Sequence, residues 1–421
     1  MKELSTIVLA GLLGCALAQP ASATDSGKFR EKLLYSFKGG VDGAYPDELL
    51  DVKGLLYSTT GAGGGSGCGG QGCGTVFALD PDSGKEKVIY SFCSQANCTD
   101  GSVPWAGLID VNGIFYGTTA DGGAYNEGTV FSVNPHSGAE TVLYSFCSRQ
   151  NCPDGQYPEA GLVIIHGTLY GTTNQGGANQ RGVVFSVDLS TGTEKLVYSF
   201  CSEANCADGA TPYQLTAVKD TVYGAAGGGG ASGYGVVFAL DPSKGAETVL
   251  YSFCSAARCS DGAEPQSPVV SVNGTLYGTT YYGGTGSCAI GNAPGCGTAF
   301  ALDPETGAQT VLYSLCSQKD CKDGLYPGLG ALIDLGGSLY GTAADGGSSD
   351  CQGPFFPGCG VAFALDPGTG TETVIHSFDG RHGHVDGKFP TTGLIDVKGT
   401  LYGTTAQGGA YGYGTVFRLG D

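Results

Sequence analysis

The chain has 421 residues, 76 of them glycine and only 14% charged, with a formal charge of −19. That glycine load beside 41% hydrophobic residues argues against both a helical bundle and a disordered chain, and favours many short strands joined by tight turns. The excess of acid excludes nucleic acid and an anionic lipid surface as partners, since both need clustered Lys and Arg.

Residues 1–23, MKELSTIVLAGLLGCALAQPASA, read as a signal peptide: one Lys, an apolar run, then small residues in the ALA and ASA patterns, with cleavage after Ala18 or Ala23. The LLGC that ends at Cys15 also resembles a lipobox, which would place a lipid anchor there. No later segment reaches the ~20 apolar residues of a membrane helix. The expectation is a secreted or periplasmic chain without a membrane span, in which residues 24–421 form one domain.

From there the sequence repeats about every 54 residues. The phrase YSF or a near copy starts at Tyr35, Tyr90, Tyr144, Tyr198, Tyr251, Tyr313 and His376; YGTT and GTVF, with variants, also occur seven times each. Within one unit, residues 106–146, four short runs are rich in β-formers: GLIDV, IFYGTT, TVFSV and TVLYSF. Asn112-Gly113 makes a two-residue hairpin turn between the first two, and NPHSG turns the chain between the last two. Each unit is therefore a four-stranded antiparallel meander, a to d. Meanders at this spacing are propeller blades, because one small sheet buries its faces only between neighbouring sheets. The fold class is all-β, a seven-bladed β-propeller. A lone d strand, KLLYSF at residues 32–37, begins the repeats and a, b and c end them, so the N-terminal strand is expected to complete the last blade and leave no open edge.

Apart from Cys15 the chain holds sixteen cysteines in eight close pairs. Five share one pattern: Cys93 with Cys98, Cys147 with Cys152, Cys201 with Cys206, Cys254 with Cys259, and Cys316 with Cys321. The others are Cys68 with Cys73, Cys288 with Cys296, and Cys351 with Cys359. In an exported chain local pairs at repeated positions mean disulfides. Zinc needs two pairs converging, and these pairs sit in different repeats, so no metal is expected.

All eight pairs lie in b–c or d–a loops, which a meander places on one face. Every d–a loop carries Asp-Gly and then Pro; the acids, Asp42, Asp100, Asp154, Asp208, Asp261, Asp323 and Asp386, read as turn caps, because each loop lacks the oxygens of a calcium loop. In the last of them His382 and His384 form a short HxH, a weak metal signal that an exposed polar loop explains equally well. The b–c loops hold aromatics that strand packing does not demand: Tyr125, Tyr234, Tyr281, Tyr282, Phe355, Phe356, Tyr411 and Tyr413. Such rings suit stacking on sugars or contact with protein, or else cover the core. No GxSxG, HExxH or Walker loop occurs. The reading is a non-enzymatic binding module for an extracellular glycan or envelope protein, using the disulfide-stiffened face and no cofactor. The alternative is a lyase or glycosidase with acids in the central funnel.

The combination of YSF, DGxxP, YGTT and GTVF phrases resembles the GloVer tandem repeat of exported bacterial proteins over residues 33–419. That resemblance implies an extracellular repeat architecture and carries no catalytic residue. ALDPDSGKEKVIYSF, residues 78–92, is also similar to the blade signature of quinone-dependent dehydrogenases. Those place Trp where Tyr90 stands and use adjacent cysteines, which this chain, with Trp105 alone, does not have.

Overall fold

The turns of each repeat dictate its sheet. In the second blade of the computed structural model, Ile109–Val111, Ile114–Thr119, Thr129–Val133 and Glu140–Ser145 pair antiparallel in that order. Asn112 and Gly113 both take positive φ, 55° and 83°, which is the backbone of a type I′ turn, and the Asp110 carboxylate accepts the Gly113 N–H at 2.8 Å. Asn134 closes the c–d turn by accepting from the amides of His136 and Ser137. The first strand is shorter than its sequence suggests, because Gly107 and Leu108 belong to the loop that leads into it.

Residues 29–286, 288, 295–348, 351, 358–379 and 386–420 are described; the expected signal peptide with Cys15 falls outside them, as do Phe355, Phe356, His382 and His384. Seven four-stranded blades form an all-β propeller. The seventh draws Ile395–Val397, Thr400–Thr405 and Thr415–Leu419 from the end of the chain and Glu31–Ser36 from its beginning. Glu31 lies opposite Leu419 and Ser36 opposite Thr415 in an antiparallel pair.

The core lies between blades. The Phe of each YSF packs its ring against the Phe of the next blade's GTVF: Phe92 on Phe131, Phe146 on Phe185 and Phe200 on Phe238 have centroids 4.9, 4.8 and 5.1 Å apart. Phe37, which follows the N-terminal strand, is fully buried and meets Phe77 of the first blade at 5.1 Å. The YGTT threonines fasten the same seams. Thr59, Thr118 and Thr342 donate to the carbonyls of Ala106, Ala160 and Thr392 in the following blade, and Thr404 donates to Asp47 across the join of last and first blades.

A second fastening uses the Gly of GTVF and the Pro of the next d–a loop. A Cβ at Gly128 would lie 2.5 Å from Pro158 Cδ and equally close to the Thr119 carbonyl oxygen, so only glycine lets the blades approach. The residue before each of these prolines, Tyr45, Val103, Tyr157, Thr211, Glu264, Tyr326 or Phe389, has φ between 55° and 59°. Proline ordinarily drives its predecessor to extended backbone, and a left-handed β-branched Val103 or Thr211 is costlier still, about 1–3 kcal/mol each. The neighbouring blade imposes it: the amides of Tyr45, Val103, Tyr157, Thr211, Glu264, Tyr326 and Phe389 donate to Tyr413, Cys73, Glu127, Arg181, Tyr234, Cys296 and Cys359, each the residue before a GTVF glycine.

Deleting the chain through Gly39 removes the outer strand of the seventh blade together with Phe37, whose loss alone is worth about 3–5 kcal/mol. The expected outcome is a large fall in melting temperature or aggregation through the bared Thr415–Leu419 edge, whereas deletion through Gly27 leaves melting unchanged. Equal melting curves for the two truncations would mean that the N-terminal strand contributes nothing to closure.

Candidate functional site

The left-handed residue before each proline turns the chain so that the residues after the proline reach the axis. They line a concave cavity of about 430 Å³ on the face that carries the b–c and d–a loops. The first blade contributes Asp47 and Glu48, the second Trp105 and Ala106, the third Glu159 and Ala160, and the fourth Tyr213 and Gln214. Gln266, Leu329, Thr391 and Thr392 complete the ring, with Tyr45 and Asn174 above it. A volume of this size suits a small ligand or one end of a chain.

Carboxyl groups dominate its polar surface. Glu48 lies between the two blades that flank its own. A Cβ at Gly107 of the second blade would meet the Glu48 Cβ at 3.2 Å, and one at Gly393 of the seventh would meet its Oε1 at 3.3 Å. The Gln214 side chain hydrogen-bonds Glu48, while the Glu48 amide donates to Asp47 Oδ1 at 2.7 Å. Burial is the main cause that raises Asp47 to about 6 and Glu48 to about 7, and the Asp47 charge adds to the shift at Glu48. Burial likewise raises Glu159, assisted by Asp121, and the Asn174 amide donates to the Glu159 carboxylate. No Lys, Arg or His is among the described residues that line the cavity. Around the mouth Trp105 is 53% exposed, Leu329 46% and Tyr45 40%. The Trp105 indole lies against Gly61, where any side chain would collide with it, and Tyr213 lies against Gly227 in the same way.

The Gloeobacter/Verrucomicrobia repeat matches residues 22–149, 66–292 and 285–421, which together span the propeller. The chain belongs to that repeat family. Among solved structures it is similar to the computationally designed Ika8 protein, with 15% identity over 91% of this chain and 99% of that one and a TM-score of 0.48. It is also similar to a chain of a nidogen/laminin complex, with 15% identity over 76% of this chain and 92% of that one and a TM-score of 0.42. No curated protein matches.

In this member of the repeat family the aromatics singled out from the b–c loops are scattered around the rim, and none of those described lines the cavity. Tyr125, Tyr411 and Tyr413 are exposed, and Tyr413 packs over Gly39. Tyr234 packs beside Cys254 and Cys259. Tyr281 and Tyr282 come together with Tyr326, on which Tyr281 stacks at 4.8 Å. The funnel residues escaped the sequence reading although a signal was present. The position after the proline holds Asp47, Trp105, Glu159, Tyr213, Gln266, Gly328 and Thr391, seven different residue types in seven otherwise similar loops.

All eight expected disulfides form. One premise about them is corrected, since pairs from different loops do converge. The sulfurs of Cys73, Cys93 and Cys98 lie within 4.8 Å of one another, as do those of Cys288, Cys316 and Cys321. Each of these sulfurs is nevertheless spent on its own disulfide and offers no thiolate to a metal.

The d–a aspartates are structural. Asp100, Asp154, Asp208, Asp261 and Asp323 are buried, and each accepts the hydroxyl of a YSF tyrosine at 2.7–2.8 Å and a backbone amide two residues after that motif's Phe or Leu. Tyr35 binds Asp42 in the same way, and His376 stands 3.4 Å from Asp386 in the blade that has no tyrosine there. A glutamate from the next blade closes on six of these seven pairs. Burial first, and then the neighbouring aspartate, raise Glu247 and Glu372 to about 8 and Glu140, Glu194 and Glu31 to about 7; Glu86 moves in the same direction. Blade five places Gln309, the neutral isostere of a protonated Glu, at this position, and its Nε2 donates to the Asp261 carbonyl.

Because these folded-state values lie above the ordinary 4.5, the glutamates stabilise the fold when protonated. Their contribution is complete below about pH 4.5 and is lost as pH rises through 7 to 8. Melting temperature is expected to fall steadily from pH 5 to pH 9, and Glu247→Gln with Glu372→Gln to flatten that fall. A melting temperature that climbs over this range would contradict the protonated belt.

Proposed function

We propose that this chain is an exported, non-enzymatic glycan-binding propeller, with residues 24–421 as one domain and the central funnel as its site. The observation that carries the reading is the exposed Trp105 indole beside Tyr45 and Tyr213, set over amide and carboxyl groups in a cavity of about 430 Å³. Aromatic faces suit the apolar faces of sugar rings, and fixed polar groups orient their hydroxyls. Eight disulfides suit an oxidising compartment, and no helix among the described residues is long and apolar enough to cross a membrane. An envelope protein would instead engage the rim, where Tyr125 and Tyr411 are exposed.

One observation favours a glycosidase or lyase as the second reading: Glu48, held protonated up to about pH 7, has the character of a general acid. Its acidic neighbour Asp47 stands beside it in the chain, however, and Gln214 already engages its side chain.

Trp105 is the only tryptophan of the chain, so its fluorescence reports occupancy of the funnel directly. Against a panel of bacterial and plant polysaccharides, a ligand is expected to change that emission. Trp105→Ala should weaken its binding at least about tenfold, roughly 1.4 kcal/mol, without altering melting. Tyr125→Ala with Tyr411→Ala should leave binding intact. Loss of binding in the rim double variant but not in Trp105→Ala would move the site to the rim, and release of new reducing or unsaturated ends that Glu48→Gln abolishes would replace binding by catalysis.

A further inference from the structure

The funnel's charge is one-sided. Asp47, Glu48 and Glu159 bring three carboxyl groups to its wall, and no basic side chain lines it among the described residues. Each side-chain amide of the lining is engaged by an acid, Asn174 by Glu159, Gln214 by Glu48 and Gln266 by Glu264, and the remaining donors, the Tyr45 and Tyr213 hydroxyls and the Trp105 indole N–H, are neutral. The charge of the lining is therefore of one sign: Asp47, raised only to about 6, is its anion near neutral pH, and a cation placed beside Glu48 would draw off the proton that burial keeps there. Its natural complement is a group with donors, no acceptor and a positive charge, which describes an ammonium. The aromatic walls point the same way, because cations are drawn to the faces of Trp and Tyr, and Trp105, Tyr45 and Tyr213 present rings around the mouth. A uronic acid would meet only repulsion, and a neutral sugar would leave buried carboxylates uncompensated.

We infer that the funnel selects a glycan unit bearing a free amino group, with its ammonium among Asp47, Glu48 and Glu159 and its ring against Trp105. This rests on the reading of the funnel as a glycan site. The breadth of the cavity and the exposed indole favour a sugar ring over the thin side chain of a lysine peptide.

The test compares the full chain's affinity for a glucosamine tetrasaccharide, its fully N-acetylated counterpart, a galacturonic acid oligomer and tetralysine, by calorimetry and Trp105 fluorescence. The amine-bearing sugar should bind at least about tenfold tighter than the acetylated one. Glu159→Gln and, separately, Asp47→Asn should erase that preference while melting as the parent does. Asp110→Asn, which alters an exposed charge in an a–b turn on the opposite face, controls for the attraction of any cation to a chain of charge −19 and should change nothing. Equal affinity for the two tetrasaccharides, or a preference that persists in Glu159→Gln and Asp47→Asn, overturns the inference and leaves a glycan site in place. Tighter binding of tetralysine overturns it in favour of a peptide. Binding of the uronic acid oligomer alone overturns the inference but not the glycan reading, and failure of every saccharide, those of the wider panel included, overturns the glycan reading itself.

Discussion

The contact on which this architecture rests is the approach of a GTVF glycine to the proline of the next blade. A methyl group at Gly128 would already collide with Pro158, and the same geometry is repeated at every seam. The approach has a conformational consequence. It forces the residue before the proline into the left-handed region, where Val103 and Thr211 would not go unaided, and a hydrogen bond to the preceding blade holds it there. The resulting kink aims the next two residues at the axis. Spacing of the blades and orientation of the funnel side chains are thus two results of one contact.

How much of this could be read from the sequence follows from where each residue's partner lies. Strands and turns depend on neighbours within a few positions, so the phrases around Asn112-Gly113 and NPHSG locate them almost to the residue. The disulfides are just as local, five or eight residues apart, and their spacing was enough. The funnel is different. Glu48 has its surroundings in blades two, four and seven, and no local pattern marks it. The rim aromatics drew attention because strand packing did not require them, yet Tyr281, Tyr282 and Tyr326 satisfy one another. What marks the funnel is disagreement among the repeats rather than composition, and it is visible only once the loops are aligned on their prolines.

The belt of tyrosine, aspartate and glutamate shows how a chain of charge −19 keeps acids inside its seams. Two carboxylates at such close quarters would repel, and burial together with the neighbouring aspartate pushes the glutamate up, so that it keeps its proton while the aspartate holds a tyrosine hydroxyl and backbone amides. Gln309 makes the argument from within the molecule: where the glutamate is replaced, its substitute is the neutral side chain of the same shape. His376 marks the other departure, on the outer strand of the sixth blade, and there Glu31, from the N-terminal strand that completes the seventh, faces Asp386.

A ring of seven similar blades has near-rotational symmetry, and a symmetric funnel would present the same group seven times. Specific recognition of an asymmetric ligand requires that the symmetry be broken where the ligand sits. The seam makes this possible without cost to the fold, because Phe, Pro and Thr side chains packed on bare glycine backbone make the inter-blade contacts, while the residues after the prolines line the cavity. Asp47, Trp105, Glu159, Tyr213 and Gln266 can therefore differ freely, and they place acid and aromatic groups from blades one to four around one cavity. The distribution is uneven. The sixth and seventh blades supply Gly330, Leu329 and threonines, so the chemistry gathers on one side of the funnel and gives a ligand a preferred orientation about the axis.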